Sequence, residues 1–330
     1  MITFVQISQL LQSAIVFGTV IMFGALGEIL TQKSGNLNLG VPGIMYLGGI
    51  AGLAAAYAYE MNTANPIGFV SLVISFVAAF AASALGGLIY SFLTITLRAN
   101  QNVTGLTLTI FGAGLANLFG GMLNAMAGGV GQISIRTTSS AYRLSVSNFV
   151  SLGPFASIFL SYGFMAYLAI IVAVGLFFFL GKSRTGLNLR AVGENPGTAD
   201  AAGINVTKYK YVATCVGAGI SGLGGLYYTM DYIKGTWTTD STIEALGWLA
   251  VALVIFATWR PLNAIWGAYL FGVLYWVYLY IPGLTRSSQE IFKMLPYVVT
   301  IVVLLFVSMR KKREDQPPAS LGLSYFREER

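Results

Sequence analysis

The side chains able to do chemistry here are few, and their types exclude most of it. The 330 residues contain no histidine, which removes the commonest general base and metal ligand. The single cysteine, Cys215, stands in an apolar run and permits no intrachain disulfide, redox pair or metal cluster. The run GLFFFLGKS, residues 175–183, has the outline of a phosphate-binding loop. It carries one residue too many between Gly175 and Gly181, and it follows an apolar segment rather than a strand. No catalytic constellation is left, and the remaining chemistry is that of binding. Glu28 lies within or near a hydrophobic segment, where a charge is expensive unless paired or wet. Lys33 is its expected partner. Asn36 and Asn38 follow among Gly35, Gly40, Pro42 and Gly43. This composition reads as irregular backbone in a bilayer, which is tolerated only where it is buried in protein or lines a cavity. Carriers build solute sites from such interrupted helices, so Asn36 and Asn38 are the candidate pathway residues.

The second polar stretch is Gly181–Lys210. It carries Lys182, Arg184, Arg190, Glu194, Asp200, Lys208 and Lys210 between two hydrophobic runs. Its centre predicts a short helix with both ends marked. Asn195 is an N-cap, Pro196 suits the first helical position, and Gly203 fits just past the end. So short a helix is unstable alone in water and must pack on something. A capped, charged helix between two spans is a handle for a soluble partner; an ordinary polar loop obeying the charge rule is the other reading.

These stretches are positioned by apolar segments. The chain is 56% hydrophobic and 9% charged, with mean hydropathy +0.72, against about 25% charged in a soluble domain. A polytopic membrane protein follows, with no room for a fused ATPase or solute-binding domain. Apolar runs of about 20 residues fall near 3–30, 38–58, 66–97, 101–125, 155–180, 209–229, 243–259, 262–281 and 288–309. The expected architecture is an all-α bundle of about 8–10 spans, a membrane domain over 1–309 and a polar tail over 310–330. The tail is expected to be disordered or bound to the surface. The run 66–97 is long enough to tilt, or to bend near Gly86–Gly87.

With 181–210 and the tail on the cytoplasmic side, alternation puts 14 of the 19 Lys and Arg inside and 5 outside, as the positive-inside rule requires. The net charge of +7 then needs no nucleic-acid partner. The outer loops hold Arg136 and Arg143, and Tyr232 and Trp237, the latter two read as interfacial belt residues. Residues 82–92, ASALGGLIYSF, and 220–230, ISGLGGLYYTM, share six identities at a constant offset of 138. They run in opposite directions in this topology, as an inverted repeat would. Small-residue packing motifs that recur in any bundle would also give the match.

The segment GENPGTADAAGINV resembles the coupling segment of permeases from ABC importers, in the family that holds the sugar, nucleoside and branched-chain amino acid permeases. Gly193, Asn195, Pro196, Ala199, Gly203 and Ile204 hold the places of that family's pattern. Ser34–Gly40 resembles its early motif, and IFATWRPLNAIWGAYLFG, residues 255–272, its later turn, with Arg260 replacing the usual Asn. Asn38–Leu39–Gly40 and the Glu in Gly193–Glu194–Asn195 resemble the nucleoside branch most. The stretch IEALGWLAVA departs from the family's usual pattern, which puts the solute pocket in doubt.

The resemblance implies a type II-like importer permease of the cell membrane, with a cytoplasmic C-terminus. It implies a second permease, homologous or identical, and a cytoplasmic ATPase that binds the ATP, so that this chain holds no cofactor. It also implies an extracytoplasmic solute-binding protein or lipoprotein, for which Arg136 and Arg143 are docking candidates. Arg190, Gly193, Glu194, Asn195, Pro196, Ala199, Gly203 and Ile204 become the ATPase-coupling residues. Nucleosides are the expected solute, with a simple sugar such as a pentose, or branched-chain amino acids, as alternatives. An ion-driven carrier is the more distant alternative, and Glu28 is the only intramembrane acid available to it.

Overall fold

A backbone in lipid must satisfy its own polar groups, and helices do so within each segment. The computed structural model describes residues 4–126, 132–145, 160–281, 283–310 and 316–326. Every regular element among them is helical. The long elements of the first half are α1 (Phe4–Gln32), α2 (Val41–Asn62), α3 (Gly68–Ser91) and α4 (Gln101–Met126). A short α5 (Arg136–Tyr142) precedes α6 (Phe164–Lys182). Two polar helices follow, α7 (Arg184–Glu194) and α8 (Pro196–Ala201). The second half is α9 (Val206–Tyr227), α10 (Thr242–Phe256), α11 (Pro261–Trp276), α12 (Arg286–Lys293) and α13 (Leu295–Arg310).

Helix covers most of the described residues of each of the nine expected spans, the last divided between α12 and α13, but among the described residues only seven helical stretches are long and apolar enough to cross a bilayer by themselves. The exceptions, α9 and α10, are explained by their surroundings. α9 packs against α1, α2 and α3, and Gly217–Tyr227 is buried throughout. α10 has 15 residues and packs on α1, α2 and α13. A helix enclosed by protein needs less hydrophobic length than one facing lipid. Apolar residues instead cover the outside, where Phe69, Ile110, Ile171 and Trp266 are exposed.

Glycines bring the central helices together. A β-carbon at Gly48 would lie 2.3 Å from the Gly222 carbonyl oxygen, and one at Gly225 would lie 1.8 Å from that of Met45. The two GG-containing copies, on α3 and α9, pack directly on each other. Ser83 lies beside Gly222, and Gly87 beside Ala218, so the copies run antiparallel, as the opposite directions of the repeat require. Ser83 Oγ donates to the Ile44 carbonyl on α2 (3.2 Å), and its counterpart Ser221 Oγ donates to the Gly24 carbonyl on α1 (3.0 Å). Each copy also runs into a π-helical turn, Phe92–Thr96 after α3 and Tyr228–Tyr232 after α9. The irregularity in the third span is this turn, not a bend at Gly86–Gly87, which lie within the continuous helix α3 and serve as packing sites.

At the end opposite α7 and α8, part of the loop 126–154 forms α5; its residues 127–131 and 146–154 lie outside the described ones. Glu60 Oε1, at the end of α2, accepts from the Thr138 backbone N–H (2.7 Å) and hydroxyl (2.6 Å). The carboxylate thereby satisfies donors of the first turn of α5. Arg136 and Arg143 are exposed. Trp237 is not an interfacial belt residue. It is 1% exposed and is seated against Gly120 of α4, whose missing side chain makes room for the indole.

Gly48→Leu or Gly225→Leu should cost about 3 kcal/mol or more, the upper range for overpacking, because backbone rather than a movable side chain fills the space. Gly175→Ala, where a β-carbon meets nothing within 4 Å, is the control and should be neutral or slightly stabilising. Thermal unfolding of the detergent-solubilised variants reads the difference. Equal melting of all three would show that these contacts do not hold the bundle.

Candidate coupling site

The residues between α1 and α2, 33–40, form no helix beyond a closing turn. Ser34, Gly35, Asn36 and Asn38 are nonetheless fully buried. Buried backbone of this kind must find partners elsewhere, and side chains from three helices supply them. The Leu37 N–H donates to Gln101 Oε1 (2.7 Å), and its carbonyl accepts from the Tyr90 hydroxyl (2.6 Å). The Leu39 carbonyl accepts from Thr109 Oγ1 (3.1 Å). The Asn38 N–H donates to Glu28 Oε1 (3.1 Å), which also accepts from Gln32 Nε2 (2.7 Å). Gln32 in turn accepts the Trp259 indole N–H (2.5 Å). Trp259 and Thr258 hold left-handed backbone, with φ of 55° and 52°. Non-glycine residues there cost of order 1–3 kcal/mol each and persist only where the surroundings impose them.

Glu28 therefore does not pair with Lys33. It is 1% exposed and is occupied by the Asn38 backbone N–H of the loop and the Gln32 amide of α1. Lys33 turns toward the polar end instead. Burial, with the Arg190 guanidinium close by, lowers its pKa to about 8; Glu194 opposes this and Arg260 adds to it. Lys33, Arg190, Glu194 and Arg260 are thus neighbours, and Arg260 lies by the coupling segment as its place in the turn suggested. Asn38 Oδ1 accepts from the Gly40 N–H (2.8 Å), an Asx turn that leads into α2. Asn36 Nδ2 donates to Thr214 Oγ1 of α9 (2.9 Å). Of the two asparagines, Asn36 lines a cavity. Asn100 Oδ1 accepts from the Val103 N–H at the start of α4 (3.1 Å).

The segment 181–210 folds as two helices. Ser183 Oγ caps α7 by accepting from the Gly186 N–H (2.9 Å). Asn195 Oδ1 caps α8 by accepting from the Thr198 N–H (3.0 Å), Pro196 opens it, and Gly203 follows at φ 81°. Ala199 is buried with Val192 and Val206, and Ile204 packs beside them. Arg190, Glu194, Asn195 and Gly203 are exposed, as are Thr198 and Ala202. α8 is therefore held by its inner face and leaves a short polar outer face open. Gly193 is the contact to the rest of the chain. A β-carbon there would lie 2.3 Å from the Lys33 carbonyl oxygen.

The tail is packed against this assembly rather than free. Ser320 N–H and Oγ both donate to the Gly193 carbonyl (3.1 and 2.5 Å), and the Gly322 N–H donates to that of Gly35 (3.1 Å). The Tyr325 hydroxyl donates to Asp200 Oδ2 (2.8 Å), and Arg98 lies over the Phe326 ring at 4.4 Å. Residues 311–315 and 327–330 of the tail lie outside the described ones.

A polar, doubly capped helix hung from a helical membrane bundle is the geometry that the permease resemblance implies, and comparison with known proteins decides the family. The profile described as branched-chain amino acid transport system / permease component matches residues 10–304. The chain belongs to that family. The permease is similar to the nucleoside ABC transporter permease protein NupC of Lactococcus lactis, with 31% identity over 88% of this chain and 89% of the relative. It is 29% identical to the guanosine ABC transporter permease protein NupQ of Bacillus subtilis over 98% of both chains. It is 31% identical, over 97% of its length and 98% of the relative's, to TsgC13 of Haloferax volcanii, whose name assigns glucose provisionally. It is thus an ABC permease with nucleoside-permease homologues, a multi-pass membrane protein and a transport component.

Sequence reasoning missed Gln101, Tyr90 and Thr109, which hold the 33–40 backbone of the permease from a distance in sequence that no local pattern reports. It also missed α7, although Ser183 before Arg184 was a readable cap.

Glu28→Ala should leave the Asn38 N–H and Gln32 amide without their acceptor, at about 1–3 kcal/mol for each buried group left unmade. Glu28→Gln, which keeps an acceptor oxygen, should lose less. Melting of the purified permease separates the two, and an alanine variant as stable as wild type would show that the carboxylate does not hold the loop.

Proposed function

We propose that this permease is the membrane subunit of an ABC importer for nucleosides. It forms the solute pathway with a second permease, homologous or identical. Cytoplasmic ATPase subunits bind and hydrolyse the ATP, so this chain carries no cofactor and no catalytic group. An extracytoplasmic solute-binding protein or lipoprotein delivers the nucleoside to the opposite end, where the exposed Arg136 and Arg143 are available to acidic groups on it. The end bearing α7, α8 and the tail is cytoplasmic, in agreement with the positive-inside count.

The observation that carries the reading is α8, capped at both ends, anchored through Ala199 and exposed along Glu194, Asn195 and Thr198. Docking there uses Arg190, Gly193, Glu194, Asn195, Pro196, Ala199, Gly203 and Ile204 in two ways. Arg190, Glu194 and Asn195 meet the ATPase, whereas Gly193, Pro196, Ala199, Gly203 and Ile204 shape and seat the helix. Closure of the ATPases then displaces α8, and the Gly193 contact passes the movement to residues 33–35 and to α1 and α2. Nucleosides are favoured because NupC and NupQ are named for them and match along most of the chain. The glucose name of TsgC13 supports a sugar as the second reading. Glu28 accepts from Gln32 and from the Asn38 backbone N–H, a structural role that needs no ion gradient.

Glu194→Lys changes an exposed charge and should reduce nucleoside uptake by cells at least about tenfold, which is about 1.4 kcal/mol of lost docking. Gly203→Val should do the same through its left-handed backbone. Both proteins should remain in the membrane at normal levels, with less ATPase co-purifying. Undiminished uptake by Glu194→Lys would remove the docking role. Competition of that uptake by excess nucleoside, pentose or leucine reads the solute class.

A further inference from the structure

An open cavity of about 840 Å³ lies between the start of α9, the residues linking α3 to α4, and the tail. Its lining includes Asn36, Arg98, Lys208, Lys210 and Tyr325. Lys210 is only 3% exposed, and it makes no hydrogen bond or ion pair among the described residues. Its stem is buried while its ammonium keeps contact with the open cavity, and a largely desolvated cation with no anion beside it is costly. Asn36 is completely buried, and its Oδ1 also has no partner, although its Nδ2 is held by Thr214. Lys210 and Thr214 are one helical turn apart on α9 and share a face. One cavity therefore gathers a cation that lacks an anion and an acceptor that lacks a donor. Arg98 and Lys208, both exposed, add positive charge at its margin. The lining carboxylate Asp200 accepts from the Tyr325 hydroxyl.

We propose that this cavity binds a phosphorylated, hydroxyl-bearing metabolite, of which a nucleoside monophosphate is a representative. The phosphate accepts from Lys210, with Arg98 and Lys208 completing the charge. A hydroxyl of the ligand donates to Asn36 Oδ1. A simple halide would leave Asn36 unsatisfied and most of the volume unused. Three cations around one cavity suit a dianion better than a neutral solute. Tyr325 and Ser324 line the cavity from the tail, so a bound ligand would tie the tail to α9. The tail in turn holds Gly193 and Asp200 of the coupling segment, and occupancy would therefore set how freely that segment moves. Only this last consequence rests on the importer reading; the binding itself does not.

The test uses the full chain in lipid nanodiscs, which expose both faces, without ATPase subunits. A nucleoside monophosphate, inorganic phosphate and the unphosphorylated nucleoside are titrated by calorimetry. The monophosphate should bind saturably, inorganic phosphate more weakly, and the nucleoside at least tenfold more weakly. Lys210→Met should weaken the monophosphate at least tenfold. The same variant should melt no lower than wild type without ligand, because it removes a buried charge that has no partner. Arg98→Gln, at an exposed position, should weaken binding and reduce its dependence on salt. Absence of saturable monophosphate binding, or equal binding by Lys210→Met, would overturn the proposal. Equal affinity for the unphosphorylated nucleoside would do so as well, since the cavity would then be part of the solute pathway. A lower melting point for ligand-free Lys210→Met would mean that Lys210 already has a partner.

Discussion

The fold depends on keeping a short non-helical backbone buried. Residues 33–40 lie where neither water nor their own helix can satisfy them, so their donors and acceptors must be met by protein. Glu28 comes from α1, Tyr90 from α3, and Gln101 and Thr109 from α4. The tail meets Gly35 through Gly322. Elements far apart in sequence are thereby fixed around one loop. Each bond is a modest net contribution, but each absence would leave a buried group unmade at about 1–3 kcal/mol. The asymmetry explains why an acid is kept fully buried at Glu28: it accepts two donors that a hydrocarbon side chain would abandon.

The helices around that loop follow a different rule. Apolar side chains gain little by leaving lipid for another apolar surface, so membrane helices associate through close backbone approach and local hydrogen bonds. α9 shows both. Its glycines meet backbone on α1 and α2, and Ser221 reaches the Gly24 carbonyl. On α3, Ser83 makes the matching bond to α2. The repeat in sequence thus corresponds to a shared packing device, a serine that binds a neighbouring carbonyl beside a pair of close-packed glycines, presented in two antiparallel helices that touch each other.

The sequence was most informative where a local signal sufficed. Asn195, Pro196 and Gly203 marked α8 because caps act within a turn of the residues that they satisfy. The long apolar helices could be read because lipid imposes a length. Isolation was the wrong assumption for α9 and α10, whose apolar length falls short because protein encloses them. The Glu28–Lys33 pairing was wrong because proximity in sequence says nothing about which side of a helix end each residue faces. Trp237 looked interfacial by type, and only Gly120 on another helix reveals its buried seat. The tail's polar composition left disorder and surface binding both open, and Ser320 and Gly322 decide for binding through backbone groups that composition does not report.

The route from α8 into the bundle is mostly backbone. Exposed side-chain ion pairs contribute about 0–1 kcal/mol. Such pairs would transmit movement poorly. Gly193 instead sits against the Lys33 carbonyl with no space for a β-carbon, and its own carbonyl is bound twice by Ser320. Close-packed contacts have low compressibility, so a displacement of α7 and α8 is passed on rather than absorbed. It reaches residues 33–35 first, and the Glu28, Tyr90 and Gln101 bonds then carry it to α1, α3 and α4. The loop that most needs its partners is therefore also the point at which the polar helices meet the membrane helices. The same bonds that make it stable make it stiff.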